Sequence, residues 1–236
     1  MSVFRFQQFS VKHTDSAMKV GTDALVLGSL ISFPNASSGL DIGTGSGVIA
    51  LMVAQEHPNL YIDAIELDLA AANEASFNFK ASPFSDRLAC ICGDFTQFQT
   101  EKKYDLIFSN PPFFEGSFKS SDLQRNAARH DDGLPLPILF QHVSNLLAEM
   151  GLFWIILPAT TFDTYLLKAS QVGLNCMTEI SIYGKPNQLT RKIGCFVKQS
   201  NHLAQRTQKT IVIRDENGKY TTDYRQLTQY FHFNEI

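Results

Sequence analysis

Three short stretches hold residues whose types and spacing could do chemistry. The first is Leu40-Asp41-Ile42-Gly43-Thr44-Gly45-Ser46-Gly47-Val48, an apolar run that passes into alternate glycines and then into a helix-like segment. Glycine adopts backbone dihedrals closed to other residues and lets a ligand approach the main chain with no Cβ in the way. The spacing departs from the dinucleotide fingerprint Gly-x-Gly-x-x-Gly/Ala, because the third glycine comes one residue early and Val48 takes the last position. Asp41, at the strand end, would repel a pyrophosphate and favour a ligand that carries positive charge.

The second stretch is Ile62-Asp63-Ala64-Ile65-Glu66-Leu67-Asp68. Its Glu66 closes the next apolar run about 20 residues beyond the glycines, the position from which an acid accepts hydrogen bonds from ribose hydroxyls. Asp41, Gly43, Gly45 and Glu66 together suit S-adenosylmethionine, whose ammonium and sulfonium match the acidic field.

The third is Tyr104 to Ser109 running into Asn110-Pro111-Pro112-Phe113-Phe114. Two prolines cannot extend a central strand, so the chain must leave the sheet here, at the carboxyl edge where such sheets bind ligands. An amine conjugated to a base ring is a poor nucleophile until its hydrogens are held. The Asn110 side-chain oxygen and the Pro111 carbonyl are two acceptors for them. Pro111 and Pro112 stiffen the loop, and Phe113 offers a face on which a flipped-out base can stack. Asn110, Pro111, Pro112 and Phe113 are therefore the expected catalytic loop.

These stretches need a scaffold, and the chain supplies one. Strands are expected at Leu40 to Ile42, Tyr61 to Glu66, Leu88 to Cys92, Tyr104 to Ser109 and Leu152 to Leu157. Helices are expected at Val48 to Glu56, Leu69 to Lys80, Pro137 to Glu149 and Thr161 to Val172, with Gly151 and Gly173 as C-caps. Beyond Gly173, Leu174 to Tyr183, Arg191 to Lys198 and Lys209 to Arg214 read as strands, the two flanking Pro186 forming an antiparallel edge. Alternation of strands and helices predicts an α/β fold, a doubly wound, mostly parallel seven-stranded sheet. No repeat or linker divides it, so residues 1–236 are read as one domain.

With 44% hydrophobic and 18% charged residues the chain can bury a large core, and it contains no apolar run long enough to span a membrane. The N-terminus lacks the pattern of a secretion signal, so a cytoplasmic protein is expected. Cys90 and Cys92 read as buried thiols in a strand and no metal site is expected. The net charge of −3 argues against an indiscriminate nucleic-acid coat. It is unevenly spread: from Ile180 to Arg214 there are seven basic residues and no acid, leaving 13 basic against 23 acidic residues elsewhere. Arg191 and Lys192 in that stripe, and Lys119, Arg125 and Arg129 after the Asn-Pro-Pro-Phe loop, are candidate phosphate contacts. A solvated strand edge guarded by lysines accounts for the same stripe.

In this order on successive strands, the motifs resemble those of class I S-adenosylmethionine-dependent methyltransferases of the Asn-Pro-Pro-aromatic group, with their Rossmann-like fold. More narrowly, Phe9-Ser10-Val11-Lys12-His13, Ala17-Met18-Lys19-Val20-Gly21-Thr22-Asp23 and the closing Gly218-Lys219-Tyr220-Thr221 resemble bacterial valine-tRNA adenine-N6 methyltransferases along nearly the whole chain. The resemblance implies S-adenosylmethionine as cofactor, tRNA as partner, adenine 37 as target, and a monomer. It also implies that residues 1–38 cover the cofactor through Lys19, Gly21 and Thr22, and that 180–236 is a basic module. Asp94 and Phe95 would sit beside the cofactor adenine, and Asn110 beside both cofactor and target. Two other readings stay open: methylation of a protein glutamine amide, against which Phe113 replaces that group's usual tyrosine, and a non-catalytic RNA-binding module.

Overall fold

The computed structural model describes residues 2–13, 20–111, 136–198 and 206–231. A hairpin of β1 (Ser2–Arg5) and β2 (Ser10–His13) leads into α1 (Thr22–Leu30). Then follow β3 (Ser38–Ile42), α2 (Val48–Glu56), β4 (Tyr61–Glu66), α3 (Leu69–Lys80), β5 (Leu88–Cys92), a 3-10 turn (Phe95–Gln97) and β6 (Tyr104–Ser109). The remainder is α4 (Leu136–Leu146), β7 (Leu147–Pro158), α5 (Ala159–Gln171), β8 (Leu174–Tyr183), β9 (Leu189–Lys198), β10 (Thr207–Val212) and α6 (Thr222–Thr228).

The sheet order is β10-β8-β9-β7-β6-β3-β4-β5. All pairings are parallel except those of β9, which runs against both β7 and β8. The antiparallel hairpin expected near one edge is present. The count differs: eight strands instead of seven, because β10 returns parallel to β8 and covers what would have been the edge.

Side chains alternate across each strand and so build two cores. One face packs Leu27, Leu51, Phe79, Phe108 and Trp154 beneath α1, α2 and α3. The other packs Phe140, Phe153, Phe162 and Phe196 beneath α4 and α5. Helix α1 lies so close to α2 that a Cβ at Gly28 would come within 2.7 Å of the Met52 sulfur.

Three expectations are corrected. The helix expected to run to Glu149 ends at Leu146, and β7 starts at Leu147, which is fully buried opposite Tyr104. Gly151 is consequently a strand residue, held tight by the Leu147 side chain and the Tyr104 carbonyl, and caps no helix. On β5, an edge strand, Cys92 is exposed and Cys90 half-buried, so the pair is not the buried set expected. Gly173 does terminate its helix, with φ +78°.

Candidate active site at the carboxyl edge of the sheet

Because β6, β3 and β4 are adjacent and parallel, the residues that follow them emerge side by side at one edge. The glycine loop, Glu66 and Asn110 therefore converge, as their sequence order implied. Gly43, Gly45 and Gly47 all have positive φ, at 71°, 56° and 82°. Their roles differ. A Cβ at Gly43 or Gly45 would meet nothing, so these two present open backbone to a ligand. One at Gly47 would come within 2.4 Å of the Phe79 ring, so this glycine packs the loop onto α3.

The loop amides are already used. Gly43 and Thr44 donate to the Ile65 carbonyl at 2.9 and 3.2 Å, and Gly45 donates to Glu66 Oε2 at 2.8 Å. A phosphate would need those N–H groups, so the loop is not a phosphate cradle. Glu66 Oε1 accepts from the Asp68 amide at 3.0 Å. The carboxylate is thus held rigid while each oxygen keeps a lone pair for a hydroxyl.

Asp41 is buried. Its Oδ2 accepts from the Thr44 hydroxyl at 2.6 Å, while Oδ1 has no hydrogen bond of normal geometry, the Ala50 amide giving only electrostatic support. Burial, partly offset by Thr44 and reinforced by the Glu66 charge, pushes its carboxyl up to about 7. The Asn110 side-chain oxygen is likewise buried and unpartnered. Buried polar atoms are nearly always paired, so two orphans at one edge mark where ligand groups belong. S-adenosylmethionine fits: a positive charge for Asp41, ribose hydroxyls for Glu66, and open backbone at Gly43 and Gly45.

Asp94 caps the 3-10 turn, Oδ1 accepting from the amide and the hydroxyl of Thr96, both at 2.8 Å. Phe95 is buried in the core, its ring 5.6 Å from that of His142 and 6.4 Å from that of Phe98. Leu67, immediately after Glu66, is 61% exposed. The sequence reading missed Asn78. Buried on α3, it donates to Ser46 O at 2.9 Å and pairs with both backbone groups of Lys12 at 3.0 and 3.1 Å, tying hairpin, helix and glycine loop together.

Gly21 is the N-cap of α1, and Thr22 is its first residue. Lys19, Pro112, Phe113, Lys119, Arg125 and Arg129 lie outside the described residues. Arg191 and Lys192, expected as phosphate contacts, point to opposite faces of the sheet as neighbours on a strand must. Arg191 Nε pairs with Asp23 of α1 at 2.8 Å, and Lys192 Nζ holds Glu179 at 2.9 Å and Asp163 at 3.2 Å. Neither is offered as an open phosphate contact.

The Arg191–Asp23 pair joins the first turn of α1 to β9 across 168 residues of chain. Both side chains are partly solvated, so the expected coupling is about 0.5–1 kcal/mol. Asp23→Asn and Arg191→Ala should each lower the unfolding midpoint slightly, with the double variant losing no more than either alone. A thermal-denaturation double-mutant cycle checks this, and strictly additive losses would refute the clamp.

The parallel sheet, the open glycine loop and the acids at the carboxyl edge define an S-adenosylmethionine-dependent methyltransferase with a Rossmann-like fold. The family described as Methyltransferase small domain matches residues 7–132. A tRNA1(Val) (adenine(37)-N6)-methyltransferase from Bacteroides thetaiotaomicron is 37% identical over 231 residues, covering 97% of this chain and 96% of that protein. One from Flavobacterium johnsoniae is 38% identical over 234 residues, covering 98% and 99%. The chain belongs to the tRNA1(Val) (adenine(37)-N6)-methyltransferase family. Among solved structures, a predicted O-methyltransferase from Agrobacterium tumefaciens shares the fold at a TM-score of 0.66 and 16% identity, covering 89% of this chain and 96% of that one. A SAM-dependent methyltransferase from Corynebacterium glutamicum shares it at 0.52 and 17%, covering 76% and 89%.

Proposed function

We propose that this enzyme methylates the exocyclic N6 amine of adenine 37 in valine tRNA. The observation that carries the reading is the buried, unpartnered Asn110 oxygen at the carboxyl edge, beside the open glycine loop. An acceptor kept dry and vacant suits a hydrogen-bearing planar amine.

S-adenosylmethionine supplies an electrophilic methyl on its sulfonium. The protein's residues position what surrounds it. Asp41 would meet the ligand's positive charge, Glu66 would hold the ribose, and Gly43 and Gly45 would let the ligand lie against backbone. The Asn110 oxygen and the Pro111 carbonyl accept the two amine hydrogens, which turns the nitrogen lone pair toward the methyl. No strong base is required, because the amine proton becomes acidic once nitrogen is alkylated and loses conjugation, and it passes to water. The target adenine leaves its stack to reach this buried edge, and Phe113 offers the face that receives it. The whole of residues 1–236 acts as one domain, a monomer working in the cytoplasm. No helix among the described residues is long and apolar enough to cross a membrane.

The test is transfer of labelled methyl from cofactor to total tRNA lacking the modification, followed by nucleoside analysis. N6-methyladenosine in valine tRNA is expected. Label in methylated guanosine, or in protein glutamine, would overturn the assignment.

A further inference from the structure

The two halves of the carboxyl edge differ in charge. Over β5, β4 and β3 stand Asp94, Glu66 and Asp68, with no Lys or Arg at positions 43–47, 67–68 or 93–98. Over β9, β8 and β10 the edge is built from two turns. The first joins β8 to β9 and carries Lys185. The second follows β10, where Arg214 bridges to Tyr220, and it carries Asp215 and Glu216 as well as Lys219. Asn110 sits between the halves, at the end of β6. A polyanion threading a base into this site meets Asp94, Glu66 and Asp68 on the cofactor side and a more evenly balanced edge on the other, which favours the second path.

Lys185 has the properties of a phosphate contact. It is exposed and makes no ion pair among the described residues, unlike Arg191, Lys192, Lys198 and Arg206, each bound to a carboxylate. The turn that carries it is ordered by Gly184 N–H to Gln188 O and Gln188 N–H to Lys185 O, both at 3.0 Å, and by the Arg214 amide donating to Gly184 O at 3.2 Å. Pro186 fixes a further dihedral. Little backbone entropy remains to be lost when this tip meets a ligand. The tip of β8 is three strand spacings from the end of β6, about 14 Å, which is a few nucleotides from the target base.

We infer that the tRNA backbone leaves the active site over the β9–β8–β10 half of the carboxyl edge, with Lys185 on the β8–β9 turn contacting a phosphate near the methylated base. The inference rests on the tRNA reading above. It also moves the basic footprint from Arg191, Lys192, Lys198 and Arg206, which are paired with carboxylates, to the exposed β8–β9 turn.

The experiment compares wild type with Lys185→Glu and Lys185→Ala, using Lys168→Glu as control, on an exposed position near the opposite end of the sheet. KM for unmodified tRNA should rise about 5- to 20-fold in Lys185→Glu and by less in Lys185→Ala. The slope of log affinity against log salt should fall by about 0.7–0.9, with kcat and cofactor affinity unchanged. An unchanged KM and slope in Lys185→Glu would overturn the inference. So would an equal effect in Lys168→Glu, or loss of cofactor affinity in either Lys185 variant. Failure of wild type to form N6-methyladenosine in tRNA would instead defeat the function on which it rests.

Discussion

Replacing Asn110 by alanine should lower kcat by about 100- to 1,000-fold while leaving cofactor affinity within about twofold. The structure gives the reason. The Asn110 oxygen is buried and unpartnered, so removing it breaks no bond of the resting protein and leaves Asp41, Glu66 and the glycine loop intact. What disappears is an acceptor that orients the amine in the reacting complex. An interaction made mainly in the transition state lowers kcat and kcat/KM together, whereas a ground-state contact would mainly raise KM. Asn110→Asp keeps an acceptor of the same size but adds charge near two carboxylates, and should recover only part of the rate. Single-turnover methyl transfer, with cofactor affinity measured by calorimetry, separates these outcomes. Near-normal turnover in Asn110→Ala would remove the orientation step from the mechanism.

What was legible in the sequence follows from how far its information reaches. Tyr61–Glu66, Leu88–Cys92, Tyr104–Ser109 and Leu174–Tyr183 form strands with the boundaries their apolar patterning implied. Helix α1 left no periodic trace, because five successive residues from Ala24 to Gly28 are buried between α2 and β7. The segment Ala148-Glu149-Met150 has helix-forming residues and yet is strand, since pairing of Leu147 with Tyr104 outweighs local propensity.

The site divides in the same way. The glycine loop, Glu66 and Asn110 could be found because each sits at a strand end, and strand order in a parallel sheet places strand ends together. The partners of Arg191 and Lys192 could not, since Asp23, Asp163 and Glu179 are brought to them only by the tertiary fold. That the two have different partners was readable, since adjacent residues on a strand face opposite ways. Phe95 shows the converse. The resemblance implied that it packs on the cofactor adenine, and its ring lies against those of Phe98 and His142 in the core.

Cofactor affinity should fall as the pH drops below about 7, by up to tenfold per unit, and binding at pH 6 should release a proton. Asp41 is the source. Its burial raises the carboxyl to about 7, so near pH 6 the unliganded enzyme holds it largely protonated. A cationic ligand favours the carboxylate, and that preference must displace the proton. The sign for folding is opposite. A group whose folded-state value is raised gives stability that is fully present below about 4 and is lost as the pH climbs through about 7. The empty enzyme is therefore strained by Asp41 at neutral pH, and the ligand relieves the strain. The rise in Tm on adding S-adenosylmethionine or its demethylated product should accordingly grow between pH 5.5 and 8. Asp41→Asn should bind the ligand more weakly at pH 8 and lose the pH dependence, because an amide neither ionises nor repels Glu66. A flat affinity profile in wild type across this range, or an unaltered slope in Asp41→Asn, would show that another group carries the proton.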